Sequence, residues 1–373
     1  MNRGVRPKVC FVIPDQFGYA AGYYQYAKYL SEYGFGVTVL SVDKGLPRIE
    51  EIPDVTIKYL AINEKSVFSN TISYIRKSNR YLNTLDINTI VILKYIPFIS
   101  VLLLSLRRKK RVFLDIRTGA VNKSRVKSIL LNALLTFESY FFSRIYILSL
   151  ELARILHLNM KKVVYLPLGA DVYSVQSKSY ENDFNLLYVG TFNFRRIYDT
   201  IYGLKMFCDK YASRLRITYT IIGYGDEDEI RKIKNAINTC HLNDYVDYVG
   251  RKTYTEFSPY FDKANIGIAY VPMVKYYNNQ PPTKVFEYAL SGLICLATNT
   301  DANKQLICSK NGVLCNDSPD AFFLALEKIY KERSRFVFTD ITQSMEQYSW
   351  KNIVREVIIP SLNALFRAVR NTP

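Results

Sequence analysis

Histidine is nearly absent from this sequence, which has two in 373 residues, and its six cysteines form no Cys-x-x-Cys pair. Zinc sites in proteins use cysteine and histidine at short spacings, so we expect no metal site. Scattered single cysteines are typical of a reducing compartment, and no apolar stretch after Met1 could act as a signal peptide. We therefore expect a cytoplasmic protein.

Long hydrophobic runs are missing as well. The longest, from Tyr95 to Leu106, has 12 residues and contains Pro97, whereas a membrane-spanning helix needs about 20 apolar residues. A transmembrane helix is thereby excluded for this run. Two alternatives remain for it, a buried helix of an α/β domain and a helix that lies in the membrane interface.

Acidic residues are too few to balance the basic ones, and the formal net charge is +17. Residues 1–173 carry 25 Lys and Arg against 12 Asp and Glu, a net of +13, whereas residues 174–373 carry 25 against 21, a net of +4. Five consecutive basic residues, Arg107 to Arg111, directly follow the apolar run. They can contact anionic lipid headgroups, neutralise nucleic-acid phosphates or lie in solvent. No nucleic-acid-binding motif is present, and we expect no nucleic-acid partner.

The length and composition favour two globular domains. The chain is 49% apolar and 22% charged, with 31 tyrosines and 21 phenylalanines to fill its cores, and 373 residues exceed one typical domain. Short apolar strands alternate with helical patterns, which predicts parallel sheets covered by helices. A polar stretch, Ser174–Asp183, interrupts the pattern as a linker. We expect an α/β fold with Rossmann-like domains at 1–173 and 184–345, followed by a C-terminal helix at 346–373.

Two segments of the second half carry candidate phosphate-binding groups. Gly190 ends a predicted strand, and Arg195 and Arg196 follow before the next helix. Guanidinium groups bind phosphate oxygens in a bidentate manner, although solvent exposure is the alternative for both arginines. In the second segment, Pro281 and Pro282 precede a helix whose first turn carries Lys284 and Glu287 on one face. A phosphate suits a helix N-terminus, and a carboxylate there can accept ribose hydroxyls or merely complement the helix dipole.

Weaker candidates follow three other predicted strands. Gly223 and Gly225 form a glycine turn, which alone is weak evidence for a ligand. Asp115 and Arg117 follow a strand of the first half, where they could contact a ligand or form a salt bridge. Gly18 and Gly22 lie between the first strand and the first helix and would allow close backbone approach.

In order and spacing these segments resemble a GT-B glycosyltransferase of family 4, the retaining and metal-independent group. The resemblance extends over essentially the whole chain and implies two Rossmann-like domains that face a central cleft. It includes Gly18 to Gly22, Asp115-x-Arg117, Ser149-Leu150-Glu151, Leu166 to Asp171, Tyr188 to Arg196, Ile222 to Gly225, Val246 to Gly250, Pro282 to Gly292 and Tyr348-Ser349-Trp350.

The resemblance assigns roles to individual residues. Arg196 stands where the family commonly has a lysine that holds the donor diphosphate, and Arg195 supplies a second contact because Thr191 replaces a frequent arginine. Glu287 matches the glutamate that accepts the ribose hydroxyls, whereas Asn279 replaces the family's first glutamate and leaves the donor sugar open. The implied catalytic residues are Arg196, Arg195 and Lys284; the donor-binding residues are Gly190, Thr191, Gly223, Gly225, Arg251, Asn279, Thr283 and Glu287; the acceptor-side residues are Gly18, Gly22, Asp115 and Arg117.

The implied function is transfer of a sugar from a nucleotide-diphosphate sugar to a hydroxyl of a glycan or lipid-linked acceptor, with retention of configuration and no metal or other cofactor. The basic first half favours bacterial surface polysaccharide or lipid-linked oligosaccharide synthesis, with peripheral attachment to an anionic membrane as a further expectation. Replacing Arg196 by alanine should lower turnover by orders of magnitude. Two alternatives remain open, a GT-B nucleotide-sugar epimerase and an inactive, membrane-associated protein that binds nucleotide sugars.

Overall fold

The chain divides into two units, each built around its own parallel β-sheet. The first comprises Met1–Leu168 and Trp350–Pro373, and the second comprises Gly169–Ser349. This computed structural model describes residues 6–49, 51–62, 66–104, 106, 111–120, 124–278 and 283–370. The final segment of the chain therefore follows the second unit in sequence but belongs to the first.

The sheet of the first unit has seven strands in the order β3-β2-β1-β4-β5-β6-β7, all parallel. Its central strands are almost entirely buried because helices cover both faces, as in other parallel sheets. The strands are β1 (Lys8–Ile13), β2 (Gly36–Asp43), β3 (Val55–Ala61), β4 (Ile90–Lys94), β5 (Val112–Ile116), β6 (Arg144–Ile147) and β7 (Val163–Tyr165). The helices before the second unit are α1 (Ala21–Glu32), α2 (Val67–Leu82), α3 (Arg125–Ser139) and α4 (Leu150–Ile155).

The sheet of the second unit has six parallel strands in the order β10-β9-β8-β11-β12-β13. They are β8 (Asp183–Thr191), β9 (Arg216–Tyr224), β10 (Val246–Gly250), β11 (Ile266–Ala269), β12 (Ile294–Thr298) and β13 (Gly312–Cys315). The helices are α5 (Tyr198–Tyr211), α6 (Glu227–Thr239), α7 (Ser258–Lys263), α8 (Lys275–Asn278), α9 (Thr283–Leu290), α10 (Asp301–Lys304), α11 (Pro319–Lys331) and α12 (Phe338–Ser344).

Each strand order contains one topological switch point. The chain runs outward from β8 to β10 and then restarts on the other side of β8 with β11. The first unit does the same at β1, with β2 and β3 on one side and β4 on the other. Loops that leave the carboxyl ends of such neighbouring strands diverge and leave a crevice for a ligand. The β8/β11 and β1/β4 ends are therefore the places where the fold favours binding sites.

The C-terminal segment packs on the helix that follows β1. It forms α13 (Trp350–Ile353), a π-helical turn (Val354–Ile358) and α14 (Ile359–Arg370). The Trp350 ring lies edge-on to the Tyr26 ring of α1, with centroids 5.6 Å apart. Farther along, the hydroxyls of Tyr146 in β6 and Ser361 are 2.5 Å apart. Through these contacts the C-terminal segment packs as part of the first unit.

The polar segment predicted as a linker is bonded to the second unit. It contains no helix or strand before Asp183, where β8 begins. The Lys178 ammonium donates to the carbonyls of Phe261 at 2.6 Å and Asp262 at 2.8 Å, and the Tyr180 hydroxyl donates to the Gly292 carbonyl at 2.7 Å. Burial lowers the pKa of Lys178 to about 8, although the Asp262 carboxylate opposes the shift.

In its described residues, the apolar run from Tyr95 to Leu106 has no long helix. It contains a short 3-10 helix, Ile99–Leu104, with Ile99 and Leu102 buried. Leu104 on the other side is 76% exposed. Arg107 to Lys110 of the basic run lie outside the described residues. Within the described part of the chain, no helix is both long and apolar enough to span a bilayer.

Candidate functional site

A cavity of about 280 Å³ opens at the switch point of the second unit. Its walls come from the carboxyl ends of β8 and β11, the loops that follow them, and the start of α9. Of the lining residues that the structure describes, only Arg195 and Lys284 are charged. The remaining lining residues are Tyr188, Val189, Gly190, Thr191, Ile268, Ala269, Tyr270, Val271, Tyr277 and Thr283.

The loop after β8 has a backbone conformation that most residues avoid. Phe194 and Arg196 have φ values of 59° and 53°, in the left-handed region that non-glycine residues rarely adopt. Two such residues within one three-residue stretch cost free energy that the surrounding structure must supply. This conformation gives the two neighbouring arginines different surroundings.

Arg195 is placed at the cavity by an aromatic ring. Its guanidinium carbon lies 4.1 Å from the centroid of the Tyr277 ring in α8. Such stacking holds the guanidinium plane without using its N–H donors. No ion pair to Arg195 exists among the described residues. Its donors are therefore available to an anion in the cavity.

Arg196 is not among the residues that line the cavity. Its guanidinium lies 2.7 Å from the Asp199 carboxylate in α5 and 3.5 Å from that of Asp317. Asp199 is buried and also accepts from the Tyr270 hydroxyl at 3.1 Å. Burial raises the pKa of Asp199, and the Arg196 charge opposes that rise. Arg196 thus joins the β8 loop to α5 and to the segment after β13.

The first turn of α9 contributes Lys284 to the cavity and Glu287 behind it. The Lys284 ammonium contacts the Glu287 carboxylate, which is buried. Burial raises the pKa of Glu287, the Lys284 charge lowers it, and Asp171 adds a smaller upward contribution. A carboxylate kept near a cavity at this cost in desolvation is typical of a functional site.

The end of β8 is fixed against α9 from the other side. The Val189 N–H donates to the Tyr288 hydroxyl at 2.9 Å, and the Tyr188 hydroxyl donates to the Thr191 carbonyl at 2.6 Å. Gly190 and Thr191 therefore line the cavity on a backbone that is held on both sides. Thr283, at the start of α9, completes this wall.

Gly223 and Gly225 do not line the cavity, and close packing explains both glycines. A Cβ at Gly223 would lie 1.9 Å from the Gly190 carbonyl oxygen, and one at Gly225 would lie 2.8 Å from the Asn193 side chain. The Asn193 amide oxygen also accepts from the Asp226 N–H at 2.7 Å. These glycines let the loop after β9 support the β8 loop.

The other predicted donor residues lie elsewhere or cannot be placed. Arg251 is exposed, with its guanidinium carbon 4.7 Å from the centroid of the Tyr224 ring, and it is not a lining residue. Asn279 lies outside the described residues, as do Pro281 and Pro282.

The predicted acceptor-side residues of the first unit form a closed network. Arg117 Nε lies 2.9 Å from the buried Asp115 carboxylate, and its Nη2 donates to the Tyr26 hydroxyl at 3.0 Å. The Tyr23 hydroxyl also donates to Asp115. Burial and the Asp115 charge raise the pKa of Tyr23. Of the two alternatives for Asp115 and Arg117, contact with a ligand or a salt bridge, the structure shows the salt bridge.

Gly18 and Gly22 serve the packing around α1. Gly18 has φ 95°, and a Cβ there would lie 2.5 Å from the Ile49 side chain. A Cβ at Gly22 would reach the Trp350 ring at 3.6 Å, an ordinary contact.

A second cavity, of about 830 Å³, lies in the first unit at the carboxyl ends of β1 to β4. Its lining combines apolar side chains such as Val42, Ile62 and Ile96 with polar ones such as Lys44 and Tyr74. None of the predicted acceptor-side residues lines it.

The sequence analysis missed Tyr277, Asp199 and Asp317. Tyr277 lies on a four-residue helix that has no periodicity to recognise. Tyr270 and Val271 also line the cavity, and their position just after the buried strand β11 was an available signal, since ligands bind at the carboxyl ends of parallel strands. No comparable signal joins Asp317 to Arg196, because they are far apart in sequence.

Among the described residues, no three His, Cys, Asp or Glu side chains are grouped so that they could hold a metal ion. The cavity lining instead offers guanidinium, ammonium, hydroxyl and backbone N–H groups. These groups bind an anionic ligand directly.

Comparison with known proteins shows what this second unit is. Residues 183–332 match the family model described as glycosyl transferases group 1. The second unit belongs to this family. The match includes every strand of the second sheet and the helices α5 to α11, and the predicted family is thereby confirmed. No curated protein sequence matches the chain.

Solved structures extend the likeness over both units. A glycosyltransferase from Rickettsia africae has a TM-score of 0.70 at 12% identity and covers 99% of this chain and 100% of its own. HepE from Anabaena in complex with UDP has a TM-score of 0.63 at 10% identity, and the likeness covers 96% of this chain and 100% of HepE. The lipopolysaccharide outer core galactosyltransferase WaaB has a TM-score of 0.62 at 13% identity, and the likeness covers 95% of this chain and 99% of WaaB.

The expected fold is confirmed by these comparisons. The chain has the GT-B fold, with two Rossmann-like parallel sheets and a C-terminal helix after the second unit. The match to glycosyl transferases group 1 identifies the second unit as part of a glycosyltransferase.

Proposed function

We propose that this glycosyltransferase binds the diphosphate of its donor in the cavity at the β8/β11 ends, between Arg195 and Lys284. The observation that carries the proposal is that, among the described lining residues, these two cations are the only charged groups and none is a carboxylate. A diphosphate brings the negative charge that such a lining lacks, and charge-assisted hydrogen bonds from guanidinium and ammonium groups are strong.

The nucleoside part of the donor is expected to lie against α9. Glu287 is one turn beyond the cavity wall and has Lys284 as its ion-pair partner. A diphosphate that draws the Lys284 ammonium toward itself frees the carboxylate to accept the two ribose hydroxyls. Glu287 and Lys284 would then exchange one mutual contact for two contacts with the ligand.

The chemistry proposed is transfer with retention of configuration. As the bond between sugar and diphosphate breaks, negative charge grows on the phosphate oxygens, where Arg195 and Lys284 donate. Stabilisation of that charge is the largest protein contribution to such a step. The acceptor hydroxyl attacks on the face that the diphosphate leaves and passes its proton to a departing phosphate oxygen, which needs no carboxylate pair or metal ion from the protein.

Arg196 acts in this proposal through position and charge rather than by direct contact. Its two carboxylate partners hold the β8 loop in the conformation that presents Arg195. Its catalytic role remains a prediction, and Arg195 is the arginine that the cavity favours.

For the acceptor we propose a glycan or lipid-linked molecule bound by the first unit, in bacterial surface polysaccharide or lipid-linked oligosaccharide synthesis at the inner face of the membrane. The first-unit cavity supports an amphiphilic acceptor because apolar side chains and Lys44 line it together. The net charge of +13 in residues 1–173 supports a phosphate-bearing one.

A donor screen tests the proposal. UDP-, GDP- and dTDP-sugars are added separately, and the melting temperature and the release of free nucleotide are measured. We expect one nucleotide class to raise the melting temperature, since a ligand stabilises the folded state according to its affinity, and to be released when an acceptor is present. Retention is checked from the anomeric coupling in the NMR spectrum of the product. Absence of stabilisation by every nucleotide sugar would contradict the proposal.

A further inference from the structure

Helix α3 is apolar on the face that it turns away from the first unit. Val126, Leu130 and Phe137 are 65%, 64% and 60% exposed, and Ile129 between them is 59% exposed. Spacings of four and seven residues place side chains on the same side of a helix. An isolated exposed apolar residue is ordinary, but a stripe that runs along a whole helix marks an interaction surface.

The side of α3 that carries Glu138, next to this stripe, is bonded to Phe98 and to the 3-10 helix that follows it, Ile99–Leu104. Glu138 is buried and its carboxylate accepts the N–H groups of Phe98 at 2.9 Å and Ser100 at 2.8 Å. It also accepts the Tyr95 hydroxyl at 3.2 Å. These bonds fix the 3-10 helix beside α3, with Phe98 and Leu104 exposed.

Helix α2 extends the same surface. The Phe68 ring lies edge-on to the Phe98 ring, with centroids 6.5 Å apart, and Phe68 is itself 65% exposed. Phe68 of α2 is therefore beside Phe98, and the Phe98 N–H is in turn bonded to Glu138 of α3. We call this surface the α3 face and define it by Phe68, Phe98, Leu104, Ile129, Leu130 and Phe137.

The segment that contains the 3-10 helix and α3 is rich in basic residues. Residues 101–150 contain ten Lys and Arg but only two acidic residues, Asp115 and Glu138. Both acids are 1% exposed and bonded within the unit. Arg125 and Lys127, in contrast, are exposed at the start of α3. Both acidic side chains of residues 101–150 are therefore buried, whereas basic side chains such as Arg125 and Lys127 are exposed.

We propose that the α3 face docks on an anionic lipid bilayer, with its apolar side chains in the headgroup and acyl boundary and its basic groups on the lipid phosphates. Apolar insertion and attraction to anionic headgroups add to each other in such binding. A second copy of the chain fits less well, because a two-fold contact would bring the same cations against one another. The inference deepens the proposed function by naming the surface through which the enzyme reaches a lipid-linked acceptor.

Vesicle co-sedimentation tests the proposal on the full chain. The probes are vesicles of phosphatidylcholine alone and of phosphatidylcholine mixed with phosphatidylglycerol. We expect the wild type to sediment with the mixed vesicles, to bind those without anionic lipid much more weakly, and to lose affinity as sodium chloride is added. The double variant I129S/F137S should bind the mixed vesicles at least roughly tenfold more weakly, because two inserted side chains are lost.

The matched control is L324S/V337S, which removes two side chains of the second unit with 59% and 49% exposure. It should sediment like the wild type, and both variants should keep the wild-type melting temperature because all four side chains are exposed. Equal vesicle binding by the two variants would overturn the proposal, as would a wild type that ignores anionic vesicles. A wild-type dimer that I129S/F137S converts to a monomer, without vesicle binding, would assign the face to a second copy instead and also overturn it.

Failure of this inference is distinguishable from failure of the proposed function. UDP binding by I129S/F137S is measured by calorimetry in the absence of lipid, and it should equal that of the wild type. Loss of vesicle binding with intact UDP binding supports the α3 face. Intact vesicle binding in a protein that binds no nucleotide would contradict the donor proposal alone.

Discussion

The two units place an arginine and a carboxylate at the carboxyl ends of their sheets, but they use them differently. In the first unit, Arg117 is bonded to Asp115 and Tyr26, and the donors of this group are directed into the protein. In the second unit, Arg195 rests on an aromatic ring and has no ion pair among the described residues. The same residue type is thus a structural clamp in one unit and an open anion-binding group in the other.

The difference shows that position after a strand does not by itself identify a binding residue. Arg117 and Arg195 differ because the guanidinium group of Arg117 is already paired with a buried carboxylate, whereas that of Arg195 is not. Arg196 makes the same point within a single loop, since it is adjacent to Arg195 yet lies between Asp199 and Asp317. The predictions below break one cluster at a time.

The largest stability effect is expected for Asp115→Ala. It leaves the guanidinium of Arg117, whose side chain is 20% exposed, without its carboxylate. Removal of one partner of such a pair should lower the free energy of unfolding by about 3 kcal/mol. The single tryptophan, Trp350, lies in the first unit, so its fluorescence during urea unfolding measures the effect there.

Asp15→Ala is the matched control for that change. The Asp15 carboxylate pairs with Lys94 at 2.5 Å and Lys44 at 3.4 Å, and its side chain is 30% exposed. These pairs are only partly buried and Asp15 is more exposed than Asp115, so this variant should lose about 1 kcal/mol, clearly less than Asp115→Ala. An equal loss in both variants would show that the Asp115 network is not the clamp described here.

Lys284→Met should give the next largest effect, now in the second unit. It leaves the buried Glu287 carboxylate without its ammonium partner, which should cost about 2 kcal/mol at neutral pH. The double variant K284M/E287Q should recover most of that loss because no unpaired charge remains. Thermal unfolding followed by far-ultraviolet circular dichroism compares the three proteins. A double variant no more stable than K284M would argue against the pairing.

Glu287 should also make donor binding depend on pH. Burial raises the pKa of this carboxyl above its ordinary value, so its contribution to folding stability is present at low pH and is lost as the pH rises through that raised pKa. Glu287→Gln should therefore not lower the melting temperature at neutral pH. Ribose binding needs the ionised form, and UDP affinity should fall as the pH is lowered through the same pKa.

The measurement is a series of UDP titrations by calorimetry across that pH range. Glu287→Gln should weaken binding roughly tenfold at neutral pH, the loss expected for a hydrogen bond to a charged group, and flatten the pH dependence. A pH dependence that persists unchanged in E287Q would assign it to another group.

The regular alternation of short apolar strands made most of the fold predictable. The strands β1, β2, β8 and β9 all lie in such apolar runs, because an apolar run between polar turns determines a buried strand almost alone. Helix α2 was not predicted. Its sequence is rich in serine and asparagine, and its N-terminus is capped by Ser66 paired with Ser69 rather than by a serine and a glutamate.

The site was predictable in its segments but not in its side-chain arrangement. The β8 loop and the first turn of α9 were both identified as phosphate-binding candidates, and both line the cavity at Gly190, Thr191, Arg195 and Lys284. Which of two adjacent arginines points there depends on the positive φ of Arg196 and on Asp317, more than a hundred residues away. Neither is visible in a local pattern.

The most direct test compares the two adjacent arginines. UDP is titrated by calorimetry into the wild type, Arg195→Ala and Arg196→Ala, with unfolding measured in parallel. The account predicts that Arg195→Ala weakens UDP binding roughly 100-fold without loss of stability, because it removes a direct charged contact to the diphosphate, whereas Arg196→Ala weakens binding less than roughly tenfold. A loss in Arg196→Ala that equals or exceeds the loss in Arg195→Ala would contradict it.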